Sequence, residues 1–173
     1  LAEVATEPGW LVERRRQGAS LAQELPLPDQ KAKGWEFTDL SSLEIDGYLA
    51  AQAHASIEAA EGATVVPLGT ALETHEELLR ERLGSLVPAE DPFVARNEAG
   101  WRDGVLVHVA AGVRVEEPIR VEIPLDDEGA GVAWRTLVIL EEGAEAEVWE
   151  HCGSASDETD ALLNSVVELY VGQ

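Results

Sequence analysis

The feature that most constrains this chain is a set of five short β-branched runs between Gly100 and Tyr170. They are Val105–Val109, Val113–Val115 with Ile119–Ile123, Thr136–Leu140, Ala144–Val148 and Ser165–Val171. Where alternation is strict, Val113, Val115, Ile119, Val121, Ile123, Ala144, Ala146 and Val148 point one way. Arg114, Arg120, Glu122, Glu145 and Glu147 point the other, as in strands with one dry face and one wet face. Turn residues separate the runs at Ala111-Gly112, Glu117-Pro118, Asp126–Gly131, Glu142-Gly143 and Gly153–Asp157. No helical pattern lies between them, so a helix-crossed parallel sheet is excluded, leaving an antiparallel sandwich or a coiled, solenoid-like β-structure. The strands begin at uneven intervals, which gives no support to a strict repeat such as a hexapeptide solenoid.

The segment before residue 100 reads differently. Pro8-Gly9 opens a helix over residues 8–25, with Leu11, Gly18 and Leu25 at heptad spacing and Pro26 and Pro28 as its stop. Within it, Arg14-Arg15-Arg16 spreads around the helix and reads as solvated charge balancing nearby Glu. Lys33–Leu40 is an extended aromatic segment with Trp35 and Phe37 on one side. Asp46 is expected to cap an alanine-rich helix running to Glu61 and stopped by Gly62. Thr64–Leu68 reads as a strand confined to an edge by Pro67. Thr74-His-Glu-Glu77 fits a capping box, and the helix it opens buries Leu79 and Leu83 and ends at Gly84. Asp91-Pro92 reads as a turn, from which Phe93–Trp101 leads into the strands. The expected organisation is therefore α+β and mainly β, with a mixed helical region over 1–99 and a β-region over 100–173.

A chain of 173 residues suffices for one compact domain with its own core. A net charge of -22, from 34 acidic and 12 basic residues, repels nucleic-acid backbones and anionic membranes. The acids are scattered through every segment and read as a solvated surface. No apolar run approaches the ~20 residues of a membrane span. The segment Leu1–Glu7 lacks the apolar block of a secretion signal, so a cytoplasmic location is expected. One cysteine, Cys152, permits no internal disulfide. The chain has no methionine and begins at Leu1, which suggests a piece of a longer protein.

The search for chemistry returns little. No phosphate loop, dinucleotide fingerprint, zinc-protease pair, nucleophile elbow or C-x-x-C is present. The one suggestive cluster is Glu150-His151-Cys152-Gly153 at a strand end, since thiolate and imidazole suit iron and zinc. Neighbours on a strand point to opposite faces, so His151 and Cys152 cannot share an ion without a bend. His54, His75 and His108 are each isolated and read as structural. No catalytic, cofactor-binding or metal-ligating residue is assigned.

The order of motifs carries more. Pro8-Gly-Trp-Leu-Val-Glu-Arg-Arg, Leu25-Pro-Leu-Pro28 and Lys33-Gly-Trp-Glu-Phe-Thr-Asp-Leu40 resemble the N-terminal region of the SufB/SufD family of iron-sulfur cluster assembly proteins. Asn97-Glu-Ala-Gly-Trp-Arg-Asp-Gly-Val-Leu-Val-His-Val109 looks like that family's entry into its β-helix. Gly112–Ile119 and Thr136–His151 continue the likeness, and the Trp35–Leu40 segment is similar to the SufD branch. The resemblance implies the first coils of a right-handed β-helix and a non-catalytic scaffold acting with SufB-like and SufC-like partners. It also implies a cluster formed transiently in the intact complex and ATP used by the partner ATPase. The residues that dock the ATPase and help build the cluster fall, by the same resemblance, beyond Gln173.

A second reading is a β-helix enzyme acting on polysaccharides, for which Arg114, Arg120 and Arg135 are the strand arginines available. A third, an acyltransferase solenoid, lacks its hexad repeat. The last run, Ser165–Val171, would leave an unpaired edge that invites self-association.

Overall fold

A computed structural model describes residues 7–172. The opening residues read above as lacking a secretion signal lie, up to Thr6, outside the described residues. Helix α1 spans Gly9–Glu24 and closes where Leu25 turns extended, its N–H still bonded to the Leu21 carbonyl. Pro26 and Pro28 then forbid another turn. Leu11 and Gly18 are the buried positions of α1, as the spacing predicts. Gly18 faces helix α4, Pro92–Gly100. A Cβ there would lie 2.9 Å from the Ala99 nitrogen and 3.0 Å from the Ala95 carbonyl oxygen, so glycine lets the two helices touch.

Four expectations for this half are corrected. Lys33–Leu40 is not extended: it runs through successive turns, with the Trp35 N–H bonded to the Ala32 carbonyl and the Thr38 N–H to that of Trp35, and Trp35 stacks on Phe93 while Phe37 is exposed. The alanine-rich stretch after Asp46 is not a helix: a single 3-10 turn at Ile45–Gly47 is followed by β1, Leu49–Ala51, and β2, Ser56–Glu58. Helix propensity loses here to pairing with strands far along the chain, because small side chains also fit against a sheet edge. The capping box does not form either. Thr74 is the last residue of α2, Leu68–Thr74, and its hydroxyl donates to the Thr70 carbonyl at 2.9 Å. Helix α3, Glu76–Arg82, follows His75, which makes no side-chain cap, though Leu79 and Leu83 are buried as expected. Finally, Asp91-Pro92 opens α4 instead of a plain turn. The Asp91 carboxylate accepts from the N–H of Phe93 at 2.8 Å and of Val94 at 3.1 Å, with Pro92 in the first helical turn.

The strands are β3, Ala63–Pro67; β4, Asp103–Val109; β5, Ile119–Pro124; β6, Ala130–Leu140; β7, Val148–Gly153; and β8, Leu162–Val171. They form two sheets. In the larger, β6 lies parallel to β1 and β4 on one side and to β8 on the other, and β3 pairs antiparallel with β4 at the edge. In the smaller, β5 lies between antiparallel β2 and parallel β7. From β4 to β8 the chain thus alternates between the sheets, and parallel neighbours form without crossing helices.

Although the sequence shows no period, the pairing does. Asp103 lies beside Trp134, Gly131 beside Leu162 and Arg114 beside Glu145, each pair 31 positions apart. Ile119 and Val148 pair at 29 positions, the difference being taken up in the bends.

Two cores follow from the faces of the larger sheet. Val105, Val107, Val109, Val132, Trp134 and Val138 meet Val115, Ile119, Val121 and Ile123 between the sheets. On the opposite face Leu106, Leu137 and Ile139 pack against Leu11, Leu68, Leu79, Leu83 and Trp101 of the helical layer. Strands β4 and β6, buried on both faces, therefore read as continuous apolar runs. The fold is α+β and mainly strand.

Candidate functional site

Arg135 interrupts the apolar run of β6 on the face turned toward the helices, and it is completely buried. Its Nε donates to the Asn97 Oδ1 at 2.7 Å and its Nη1 to Glu168 Oε1 at 3.2 Å. Its Nη2 lies 2.6 Å from Glu98 Oε2, which also pairs with Arg14 at 2.8 Å. Glu168, on β8, accepts in addition from the N–H of Gly84 at 2.6 Å and of Leu86 at 3.1 Å. Burial pushes the Arg135 pKa down, opposed by the carboxylates of Glu98 and Glu168. Each buried charge thus has an opposite partner, and Arg135 and Glu168 have further hydrogen bonds, whereas Glu98 Oε1 and Arg135 Nη2 are buried without a hydrogen bond. The cluster ties α1, α4, the Gly84–Leu86 loop, β6 and β8 together. Arg14 and Arg15 consequently are not the solvated charge that was expected: Arg14 belongs to the interior network, and Arg15 pairs with Glu7 and lies over the Trp101 ring at 4.6 Å, whereas Arg16 pairs with Glu13 at the surface.

The segment Asn97–Gly104 gains a physical account from the same place. The Asn97 Nδ2 donates to the carbonyls of Trp134 at 3.0 Å and Asn164 at 2.7 Å, so one side chain stitches α4 to β6 and β8. Asp103 accepts from the Ala53 N–H at 3.0 Å. A Cβ on Gly104 would collide with the Arg135 carbonyl oxygen and reach 2.5 Å from Leu68 Cδ1, so only glycine allows that approach.

The Glu150-His151-Cys152 cluster splits across β7 as strand geometry requires. His151 is exposed and its Nδ1 lies 2.7 Å from Glu122 on the outer face. Glu150 and Cys152 take the inner face, beside Val121 and Ile123. Trp134 Nε1 donates to the Thr136 hydroxyl at 2.8 Å, which donates in turn to Glu150 at 2.5 Å. Burial first, and the Glu150 charge second, push the Cys152 thiol pKa up. Among the described residues no three of His, Cys, Asp and Glu are placed to hold one metal ion. The histidines are dispersed: His108 contacts Glu141 at 2.8 Å, and His75 contacts the Thr74 hydroxyl at 2.7 Å. Arg114 and Arg120 lie on the outer strand face, whereas Arg135 lies in the other sheet beneath the helices, so the three do not converge.

What the described chain presents outward is surface. Among the described residues β8 pairs only with β6, and its Val167, Leu169 and Val171 are exposed. A groove of about 560 Å³ opens where β1 meets β6, lined in part by Tyr48, Arg96 and Arg102. Its arginines face the carboxylates of Asp46 and Glu7, each at 3.6 Å. Among the described residues no helix is long and apolar enough to cross a membrane.

Comparison with known proteins finds similar sequences. Residues 41–121 match the model of the SufBD protein N-terminal region. An iron-sulfur cluster assembly SufBD family protein of Staphylococcus epidermidis is 37% identical over 103 residues, which cover 59% of this chain and 22% of the relative. The corresponding protein of Staphylococcus haemolyticus is 36% identical over 103 residues, with the same coverage. Iron-sulfur cluster assembly protein SufB of Bacillus subtilis is 33% identical over 113 residues, 65% of this chain and 24% of the relative. The chain is thus similar to the N-terminal region of SufB/SufD family proteins. It spans less than a quarter of the length of these relatives.

Proposed function

We propose that the chain is part of a non-catalytic, SufD-like scaffold subunit of an iron-sulfur cluster assembly complex, working in the cytoplasm with SufB-like and SufC-like partners. The observation that carries this reading is the family match over residues 41–121, joined to relatives named for cluster assembly. The SufD branch is favoured by the Trp35–Leu40 segment. Physically, the two sheets and the internal ion network suit a body that offers rigid surfaces to other subunits. In this reading the iron-sulfur cluster is cargo formed in the complete assembly, and ATP is consumed by the partner ATPase.

The parallel, 31-residue spacing of Asp103 with Trp134 and of Gly131 with Leu162 supports reading β4 to β8 as the opening coils of a right-handed β-helix. The test is co-purification of the longer parent protein with a SufC-type ATPase and a SufB-type subunit. A three-component complex is expected. Failure of the parent to retain the ATPase would sink the scaffold reading, and its replacing SufB instead of joining it would sink the SufD assignment.

A further inference from the structure

The groove where β1 meets β6 is built from segments far apart in the chain. Its floor is the face of the larger sheet turned toward the helices, where Gly131 and Ala133 of β6 lie beside Leu162 and Asn164 of β8. One wall is the last part of α4 and the residues after it, with Arg96 and Arg102; the other is the Ile45–Gly47 turn and β1. Gly131 lets the second wall come close, since a Cβ there would lie 3.1 Å from that of Tyr48. The result is a flat floor of small groups beneath about 560 Å³ of space, inside the roughly 300–1,000 Å³ of small-molecule sites. The groove opens on a face of the sheet and not on a strand edge.

The charge on its wall is poorly matched. Arg14, Arg15 and Arg135 each have a carboxylate within 2.8 Å. Arg96 does not: Asp46, itself 87% exposed, stands 3.6 Å from its Nε, which is buried without an acceptor. Its Nη1 reaches only the Pro92 carbonyl of its own helix, at 3.2 Å. Yet the Arg96 side chain is 19% exposed, against 39–67% for Arg102, Arg114 and Arg120, whose carboxylates also stand off. A guanidinium drawn this far out of water is stabilised by an anion at hydrogen-bond distance. Arg102, 3.6 Å from Glu7, adds further donors to the same groove.

These features select the ligand. The arginines call for an anionic group and the floor for a flat apolar body. The carboxylates of Asp46 and Glu7, with a net charge of -22, oppose a second negative charge. We propose that this groove binds a small molecule carrying a single carboxylate on a flat apolar body. The carboxylate takes the place of Asp46 opposite Arg96, and the body lies over Gly131 and Ala133. Recognition falls to the arginines, because the Tyr48 hydroxyl already donates to Asp160 at 2.7 Å. The inference makes no use of the family reading, and binding here needs no partner subunit.

The experiment is equilibrium dialysis of cinnamate, a flat monocarboxylate, against the 173-residue chain and against the longer parent protein, in which any later segment able to cover the groove is in place. Both should bind one equivalent with a Kd below roughly 1 mM. Cinnamyl alcohol, which lacks the charge, acetate, which lacks the body, and carboxycinnamate, which adds a second charge, should each bind about tenfold more weakly or worse. Arg96→Gln should weaken cinnamate binding about tenfold at an unchanged melting temperature, since it gives up no close ion pair. Arg102→Gln, at a side chain 60% exposed, should weaken it less, and the control Arg80→Gln, on α3, should leave it unchanged. Absence of binding, equal binding of the alcohol, or affinity that survives both groove substitutions would each overturn the proposal. So would binding by the shorter chain alone, which would show that the parent fills the groove with its own residues.

Discussion

The guanidinium of Arg135 lies 2.6 Å from the carboxylate of Glu98, and both side chains are at most 5% exposed. This pair joins the central strand to helix α4, and Glu168 extends it to β8. Removing one partner from a buried ionic cluster leaves the others uncompensated, which costs about 3–5 kcal/mol. Arg135→Met should destabilise the fold by that amount in urea titration. Glu168→Gln, which keeps an acceptor for the loop amides, should cost less. Equal losses for the two would show that shape and not charge is being measured.

Asp91→Ala should cost about 1 kcal/mol, because two amides of the first turn of α4 lose their acceptor. Asp91→Asn retains a capping oxygen and should recover most of the loss in the same titration.

Acid stability should depend on Glu141. A hydrogen bond from His108, then one from the Ala111 N–H, holds its carboxyl below the usual carboxylate range. A carboxyl depressed in the folded state stabilises above its unfolded pKa, about 4.3, and that contribution disappears as pH falls through the lower folded value. Glu141→Gln should therefore melt below the parent protein at pH 6, and the gap should close below about pH 4. Glu13, lowered to about 2 chiefly by its hydrogen bond from Arg16, should behave likewise over a range reaching further into acid.

Cys152 should react slowly with thiol reagents near pH 8 although the residue is exposed, since partial desolvation of its thiol and then the Glu150 charge disfavour the thiolate. Glu150→Gln should accelerate alkylation, read as a rate at fixed pH. An unchanged rate would leave burial as the sole cause.

Local pattern revealed the strands where one face meets water. Ile119, Val121 and Ile123 alternate with Arg120 and Glu122, and the structure buries the first set between the sheets. Leu79 and Leu83 were similarly plain. The residues around Leu49–Ala51 were not, because their strand character depends on Ala130–Val132, some eighty positions away. Nor does local sequence say that Thr74 ends one helix before the next begins. The ion network is hidden in the sequence for a related reason: Glu98 and Glu168 stand among many acids, and only the fold sorts them. A signal was nonetheless available in Arg135, a lone cation inside the apolar run Val132–Leu140, and in Glu168, a lone acid within β8.

A path that returns to the same column every 31 residues converts chain length into height. Each circuit adds one strand spacing, about 4.8 Å, while the footprint stays fixed. The interval shortens to 29 residues between Ile119 and Val148, yet the neighbouring columns keep their register. At the foot of these columns the helices are fastened by Arg135.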